Sequence, residues 1–174
     1  MVDVDTGEKE KIRFDLDGVF SAAWSPSGNQ LAYVGYEKGA SDIYIYDIES
    51  KQSVNLTSDV FSDSEPTWSP DGSLIAFVSD RDNNTNLKKT DADEMLSVDY
   101  DNKNIYIVNV KTLKVDQITN TNFDEDYPVF SNTQDYLFFT SDSSGTWNLF
   151  KYDLNKRSSI VVTNLLTGIL QLSL

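Results

Sequence analysis

A unit of 42 to 44 residues recurs along this chain, and repetition at that length limits the fold more than any other feature. The segments "AAWSPSGNQLAYVGYEKGASDIYIYDIESKQSVNLT" (22–57), "PTWSPDGSLIAFVSDRDN…NIYIVNVKTLKVDQIT" (66–119) and "PVFSNTQDYLFFTSDSSGTWNLFKYDLNKRSSIVVT" (128–163) follow one order. Each runs aromatic, polar turn, apolar run, turn, alternating run, turn, and a short run ending in Thr. Trp24 lies 44 residues before Trp68, and Thr119 lies 44 before Thr163. Trp68 to Phe130 is 62, so the middle unit carries a surplus, which falls in 83–103.

Within each unit the periodicity is that of strands. "DIYIYDI" (42–48), "NIYIVNV" (104–110) and "NLFKYDL" (148–154) alternate, with β-branched and aromatic residues on one side. "SLIAFVS" (73–79) and "DYLFFTS" (135–141) are short apolar runs between turn residues, as expected of a strand covered on both faces. The expectation is an all-β chain, a partial β-propeller of about three four-stranded blades with a single strand at each end. The blades are expected at about 20–57, 64–119 (with insertion 83–103) and 126–163. Residues 1–14 would close a preceding blade and 168–174 would open a following one.

A blade cannot bury both of its faces alone. Trp24, Trp68 and Phe130 are therefore expected as apolar bulk at the blade seams. Pro70, Asp71 and Gly72 are expected to form the tight turn between the first two strands. Proline presets φ, aspartate bonds its own backbone, and glycine takes the positive φ. Rings close at about four to eight blades, so the expectation is a segment of a longer polypeptide. Pairing of two copies, or an open stack capped by another protein, are the alternatives, with self-association following from unpaired edges.

The repeat "PTWSPDGSLIAFVSDRDN" (66–83), continued by "NIYIVNV" and "QIT", resembles that of the TolB-type β-propellers. The same repeat occurs in the propeller domains of tricorn-like and prolyl-oligopeptidase-like peptidases. The likeness implies a mainly extracytoplasmic bacterial protein whose propeller is a protein-binding platform or a gate. Its binding surface would lie around the central channel, at loops entering the innermost strands. The expected function is a non-catalytic binding or scaffolding module. The alternative is a substrate-gating propeller of a serine peptidase whose catalytic domain lies elsewhere. "SNTQD" at 131–135, in place of "SPDG", and the insertion depart from the pattern.

Composition narrows the chemistry. The chain has no histidine and no cysteine, so serine–histidine–acid triads, histidine metal sites and thiolate chemistry are unavailable to these residues. Histidine-dependent carbohydrate or lyase propellers are excluded on the same ground. A formal charge of -14 disfavours nucleic acid and favours cations or a basic protein or peptide surface. There is no apolar run long enough for a transmembrane helix, so membrane insertion is not expected.

The loops entering the innermost strands carry acids: Asp15 and Asp17; Asp59, Asp63 and Glu65; Asp124, Glu125 and Asp126. Three readings stay open for them: solvated turn residues, docking of a basic partner (Asp63, Glu65, Asp124, Glu125, Asp126), or oxygen ligands for calcium. Paired carboxylates such as Asp63 and Glu65 are also the residue types of acid/base catalysis, although nothing places a substrate between them. Asp80, Asp82 and Asn84 have the alternating spacing of a calcium loop but lack its glycine and bidentate acid, so no cofactor is expected. Ser79-Asp80-Arg81 is expected to tie neighbouring blades by an ion pair.

Overall fold

The computed structural model describes residue 2, residues 5–85, 100–169 and 171–172. Insertion 83–103 is therefore described only at its two ends, and the acidic 91–94 lies outside the described residues. Twelve strands form three antiparallel sheets, and no helix occurs among the described residues. The first sheet holds β1 (Gly18–Trp24), β2 (Gln30–Glu37), β3 (Ala40–Asp47) and β4 (Ser53–Asn55) in that order. The second holds β5 (Asp63–Trp68), β6 (Leu74–Ser79), β7 (Asn104–Asn109) and β8 (Val115–Gln117). The third holds β9 (Glu125–Phe130), β10 (Tyr136–Ser141), β11 (Asn148–Asp153) and β12 (Ser158–Val161). This is an open, partial propeller of three meandering blades.

The first strand of each blade is the innermost. β5 lies against β1, β2 and β3, and β9 lies against β5, β6 and β7. Each inner strand carries a bulge, with register shifts at Phe20/Ala22, Ser64/Thr67 and, on β10 opposite β9, Phe138/Thr140. Pro66 and Pro128 fall within the bulged segments of β5 and β9, where a missing N–H costs no ladder bond.

The continuous apolar runs divide by period 2 between two seams. Ile75, Phe77, Tyr106 and Val108 of the middle blade pack against Ala32, Val34, Ile43 and Ile45 of the first. Their neighbours Ala76, Val78, Ile105 and Ile107 pack against Leu137, Phe139 and Tyr152 of the third. Only a sheet covered on both faces uses its residues in this way. Trp68 and Phe130 are buried in these two seams, and Trp68 Nε1 donates to Ala23 O at 3.0 Å, stapling one inner strand to the next.

Trp24 departs from expectation. It is 52% exposed, because among the described residues no inner strand lies on the side of β1 that it would staple. Part of that first face is covered by the N-terminal segment instead: Phe14 packs over Tyr33 (centroids 4.4 Å) and Tyr46 (5.6 Å). Residues 10–14, 169, 171 and 172 lie outside the ladders, although Ile169 N donates to Trp147 O at 2.8 Å. The single terminal strands therefore do not form as strands among the described residues.

The turn chemistry follows the sequence. Gly72 N donates to Ser69 O at 2.9 Å with Gly72 at φ 70°, and Asp71 Oδ1 accepts the Ser73 N–H at 2.9 Å. Hydrogen bonds from Ser69 and Ser73 hold the Asp71 carboxyl down at about 2. In the third blade Gln134 replaces the glycine and still adopts φ 60°. The Thr closing each unit also makes a repeated bond. Thr57, Thr119 and Thr163 accept the N–H of Ile43, Ile105 and Leu149 through Oγ1. Those bonds pin the chain as it leaves each outer strand and aim it toward the next inner strand.

Candidate functional site

The three inner strands face a shared groove of ≈ 410 Å³. Its wall is built from the same position in each blade: Ser21, Glu65 and Tyr127, with Gln171 and Leu172 beside them. All three wall residues carry positive φ (36°, 54° and 56°), although none is glycine. Each such backbone costs about 1–3 kcal/mol and persists where surrounding structure enforces it, often at binding sites. Here the bulge enforces it, and its effect is to turn one extra residue per blade out of the ladder toward the axis.

Two of these residues are joined across the blades. Tyr127 N donates to Glu65 Oε2 at 2.6 Å. Desolvation raises the Glu65 carboxyl, opposed by that N–H and by Lys103, while the charge of Glu65 is the main cause raising the Tyr127 phenol. Burial likewise raises Asp126, again opposed by Lys103.

The other acids predicted to face the channel are placed differently. Asp63 and Glu125 occupy the same register position, each starting an inner strand opposite a serine (Ser79 and Ser141), and both point inward. Asp63 and Asp59 take the two arms of a buried arginine: Arg81 Nη1 lies 2.8 Å from Asp59 Oδ2 and Nη2 lies 2.7 Å from Asp63 Oδ1. Arg81 Nε donates to Ser79 Oγ at 2.9 Å. The guanidinium carbon also sits 5.6 Å, 5.2 Å and 5.3 Å from the ring centroids of Phe61, Phe77 and Tyr106. Asp124 Oδ1 accepts the Lys103 N–H, and Asp126 is half-buried. Asp15 and Asp17 are exposed, and Asp17 accepts the Lys38 N–H. The structure thus brings Glu65 alone of the acids to the groove wall, and places Asp126 next to it in the third blade.

Asp42, Asp59 and Asp63 have carboxylate oxygens close enough to share a cation. Arg81 already supplies positive charge between two of them. Asp80 and Asp82 join no such group among the described residues. Asp80 Oδ1 accepts the Ser62 N–H, and Asn84 Nδ2 donates to Asp82 O. Asp80 and Arg81 do tie the loop between the first two blades, as their sequence suggested. What sequence reasoning missed is the row of bulge residues. The signal available was a proline directly after Glu65 and Tyr127 on what must be inner strands.

Glu125 has no such arginine. Its Oε1 lies 3.0 Å from Thr121 Oγ1, its Oε2 has no hydrogen-bond partner among the described residues, and burial pushes its carboxyl up to about 7. Between the ordinary value of 4.5 and about 7 the folded protein keeps a proton that the unfolded chain releases. Stability from this group is therefore full below pH 4.5 and is lost as pH rises through 7. Glu125→Gln, which does not titrate, should gain on the parent by about 3 kcal/mol between pH 5 and pH 8 in urea unfolding. A gain that is the same at both pH values would show that Glu125 is not held protonated.

Known proteins share this architecture. A family model described as the TolB β-propeller domain matches residues 1–96. The Tol-Pal system protein TolB of Nitrosococcus oceani is 33% identical over 58 residues, covering 33% of this chain and 13% of that protein. The crystal structure of TolB from Acinetobacter baumannii superposes with a TM-score of 0.69 at 24% identity, covering 94% of this chain and 36% of that one. A puromycin-hydrolyzing peptidase of Mycobacterium tuberculosis gives a TM-score of 0.68 at 15% identity, covering 94% and 24%. At such identities the two structural likenesses establish the fold alone. The chain spans roughly an eighth of the curated relative and about a third of the TolB structure.

Proposed function

Because this chain belongs to the TolB β-propeller domain family, we propose that it serves as a non-catalytic, protein-binding part of a propeller in an extracytoplasmic protein. The docking place on this reading is the groove along the inner strands, and the partner presents a basic segment. The observation that supports it is the bulge residue repeated at Ser21, Glu65 and Tyr127. The wall positions lie outside the apolar clusters that pack the seams, so strain repeated there is not explained by core packing. The formal charge of -14 and the half-buried Glu65 and Asp126 favour a cation there. Catalysis by these residues has little support: the usual nucleophile and base pairs are missing, and Glu65 is already engaged by a backbone N–H.

The test is fluorescence anisotropy with two labelled peptides of equal length, one lysine-rich and one glutamate-rich. The lysine peptide should bind, and several-fold more weakly as salt rises from about 50 to about 300 mM. Glu65→Gln keeps an oxygen for the Tyr127 N–H and should weaken binding by about tenfold. Equal binding of the acidic peptide, or no effect of Glu65→Gln, would overturn the reading.

A further inference from the structure

The repeat makes a second comparison possible, between the surroundings of Arg81 and the same place one blade later. In the middle blade the guanidinium is enclosed by Phe61, Phe77, Tyr106 and Asp63, with Asp59 and Ser79 taking its remaining hydrogen bonds. Every one of those positions recurs in the third blade. Phe123 stands two residues before Glu125 as Phe61 does before Asp63, and Thr121 stands four before it as Asp59 does. Phe139 and Phe150 pair across β10 and β11 as Phe77 and Tyr106 pair across β6 and β7. The ring geometry is also close: centroids 5.6 Å apart and 21° between planes, against 5.9 Å and 31°. Even the loop bond is kept, since Phe123 N donates to Thr121 Oγ1 as Phe61 N donates to Asp59 Oδ1.

The cation is exchanged. Where the middle blade has Arg81, two positions after Ser79, the third has Ser143, two positions after Ser141. Around it lies a cavity of ≈ 510 Å³ lined by Phe123, Phe139, Phe150, Glu125, Ser141 and Ser143. Glu125, 2% exposed, borders it with an oxygen that has no hydrogen-bond partner among the described residues. Phe123 is 46% exposed at this site, whereas Phe61, which faces Arg81 and packs on Tyr100, is fully buried.

We propose that this cavity is a receptor for a guanidinium group, the side chain of an arginine presented by a partner protein, entering past Phe123 to pair with Glu125. A planar cation between ring faces is what the middle blade already accommodates, and arginine suits such a slot better than lysine because it both stacks and forks. The charge count agrees. Arg81 faces Asp59 and Asp63, whereas Thr121 replaces Asp59 in the third blade, leaving one carboxylate for one incoming cation. A buried carboxylate with no counterion is costly, and an arriving cation relieves that cost. This cavity shares no lining residue with the axial groove, so the inference does not depend on the groove binding anything.

The experiment titrates the whole chain at pH 8, where Glu125 is ionised, with N-acetyl-arginine amide, its lysine counterpart and its neutral isostere N-acetyl-citrulline amide, reading amide NMR shifts. The arginine compound should give saturable shifts at Thr121, Phe123, Glu125 and Ser143, with millimolar affinity, and the lysine compound should bind more weakly. The citrulline compound should bind at least about tenfold more weakly, as should arginine to Glu125→Gln. Ser143→Arg, which supplies the cation from within, should abolish binding and raise the unfolding midpoint. Linear shifts without saturation, equal binding of lysine or citrulline, equal binding to Glu125→Gln, or undiminished binding to Ser143→Arg would each overturn the proposal. A lysine peptide that fails in the groove while arginine still enters this cavity would sink the groove reading alone.

Discussion

Arg81→Met should cost about 3–5 kcal/mol of unfolding free energy, because it leaves two buried carboxylates with their shared cation removed. Asp59 and Asp63 are both already raised above the ordinary range, Asp59 to about 7, with burial the largest cause and Arg81 the main opposing one. Without Arg81 both rise further. Sign follows directly: stability from raised carboxyls is present at low pH and is lost as pH rises, so the deficit of Arg81→Met should be larger at pH 8 than at pH 5. Adding Asp59→Asn and Asp63→Asn to Arg81→Met should recover much of the loss, since an uncharged buried cluster does not need the arginine. Arg81→Lys should fall between, as an ammonium cannot take Asp59, Asp63 and Ser79 at once while lying against three rings. Urea unfolding of the parent and these three variants at the two pH values is the measurement. A loss below about 1 kcal/mol for Arg81→Met would mean the cluster is solvated and not the buried ion pair described.

Trp68→Ala should cost a comparable ~3–5 kcal/mol, while Trp24→Ala, at the equivalent position one blade earlier, should cost under about 1 kcal/mol. Trp68 is buried in the first seam among Ala32, Val34, Ile75 and Phe77, and its removal opens a cavity and deletes the Nε1 bond to Ala23 O. Trp24 has the same place in the repeat but half of its surface in solvent. Two identical side chains at identical repeat positions thus differ only in whether a preceding blade is packed against them. Equal losses for the two would show that some other surface buries Trp24. A loss confined to Trp68 would make burial in the seam, and not the strand's own propensity, the source of its stability.

How much of this was legible beforehand can be judged from those same residues. Strand positions in the three units followed from alternation and from their polar turns, because both are local: backbone φ limits and side-chain alternation act over a few residues. The period of 44 residues likewise carried the architecture, since four short strands that cannot cover both faces must stack. Arg81 was expected to form an ion pair for the simple reason that a lone arginine beside several acids will find one. The acids themselves were read as a group, and the structure divided them. Asp63 and Glu125 begin their inner strands facing the interior, and Glu65, two residues on from Asp63, is turned to the axis by a bulge that no pattern of apolar residues records.

The chain's own order of residues was therefore enough for its fold class, its blades, its turns and the absence of histidine or thiol chemistry, all set by short-range sterics or by composition. Which tryptophan is core and which carboxylate is neutralised were decided only by tertiary contacts. Burial, desolvation and charge pairing are properties of surfaces in contact, and residues such as Phe123, Glu125 and Phe150, brought together from a loop and two strands of the third blade, share no local pattern that announces their meeting.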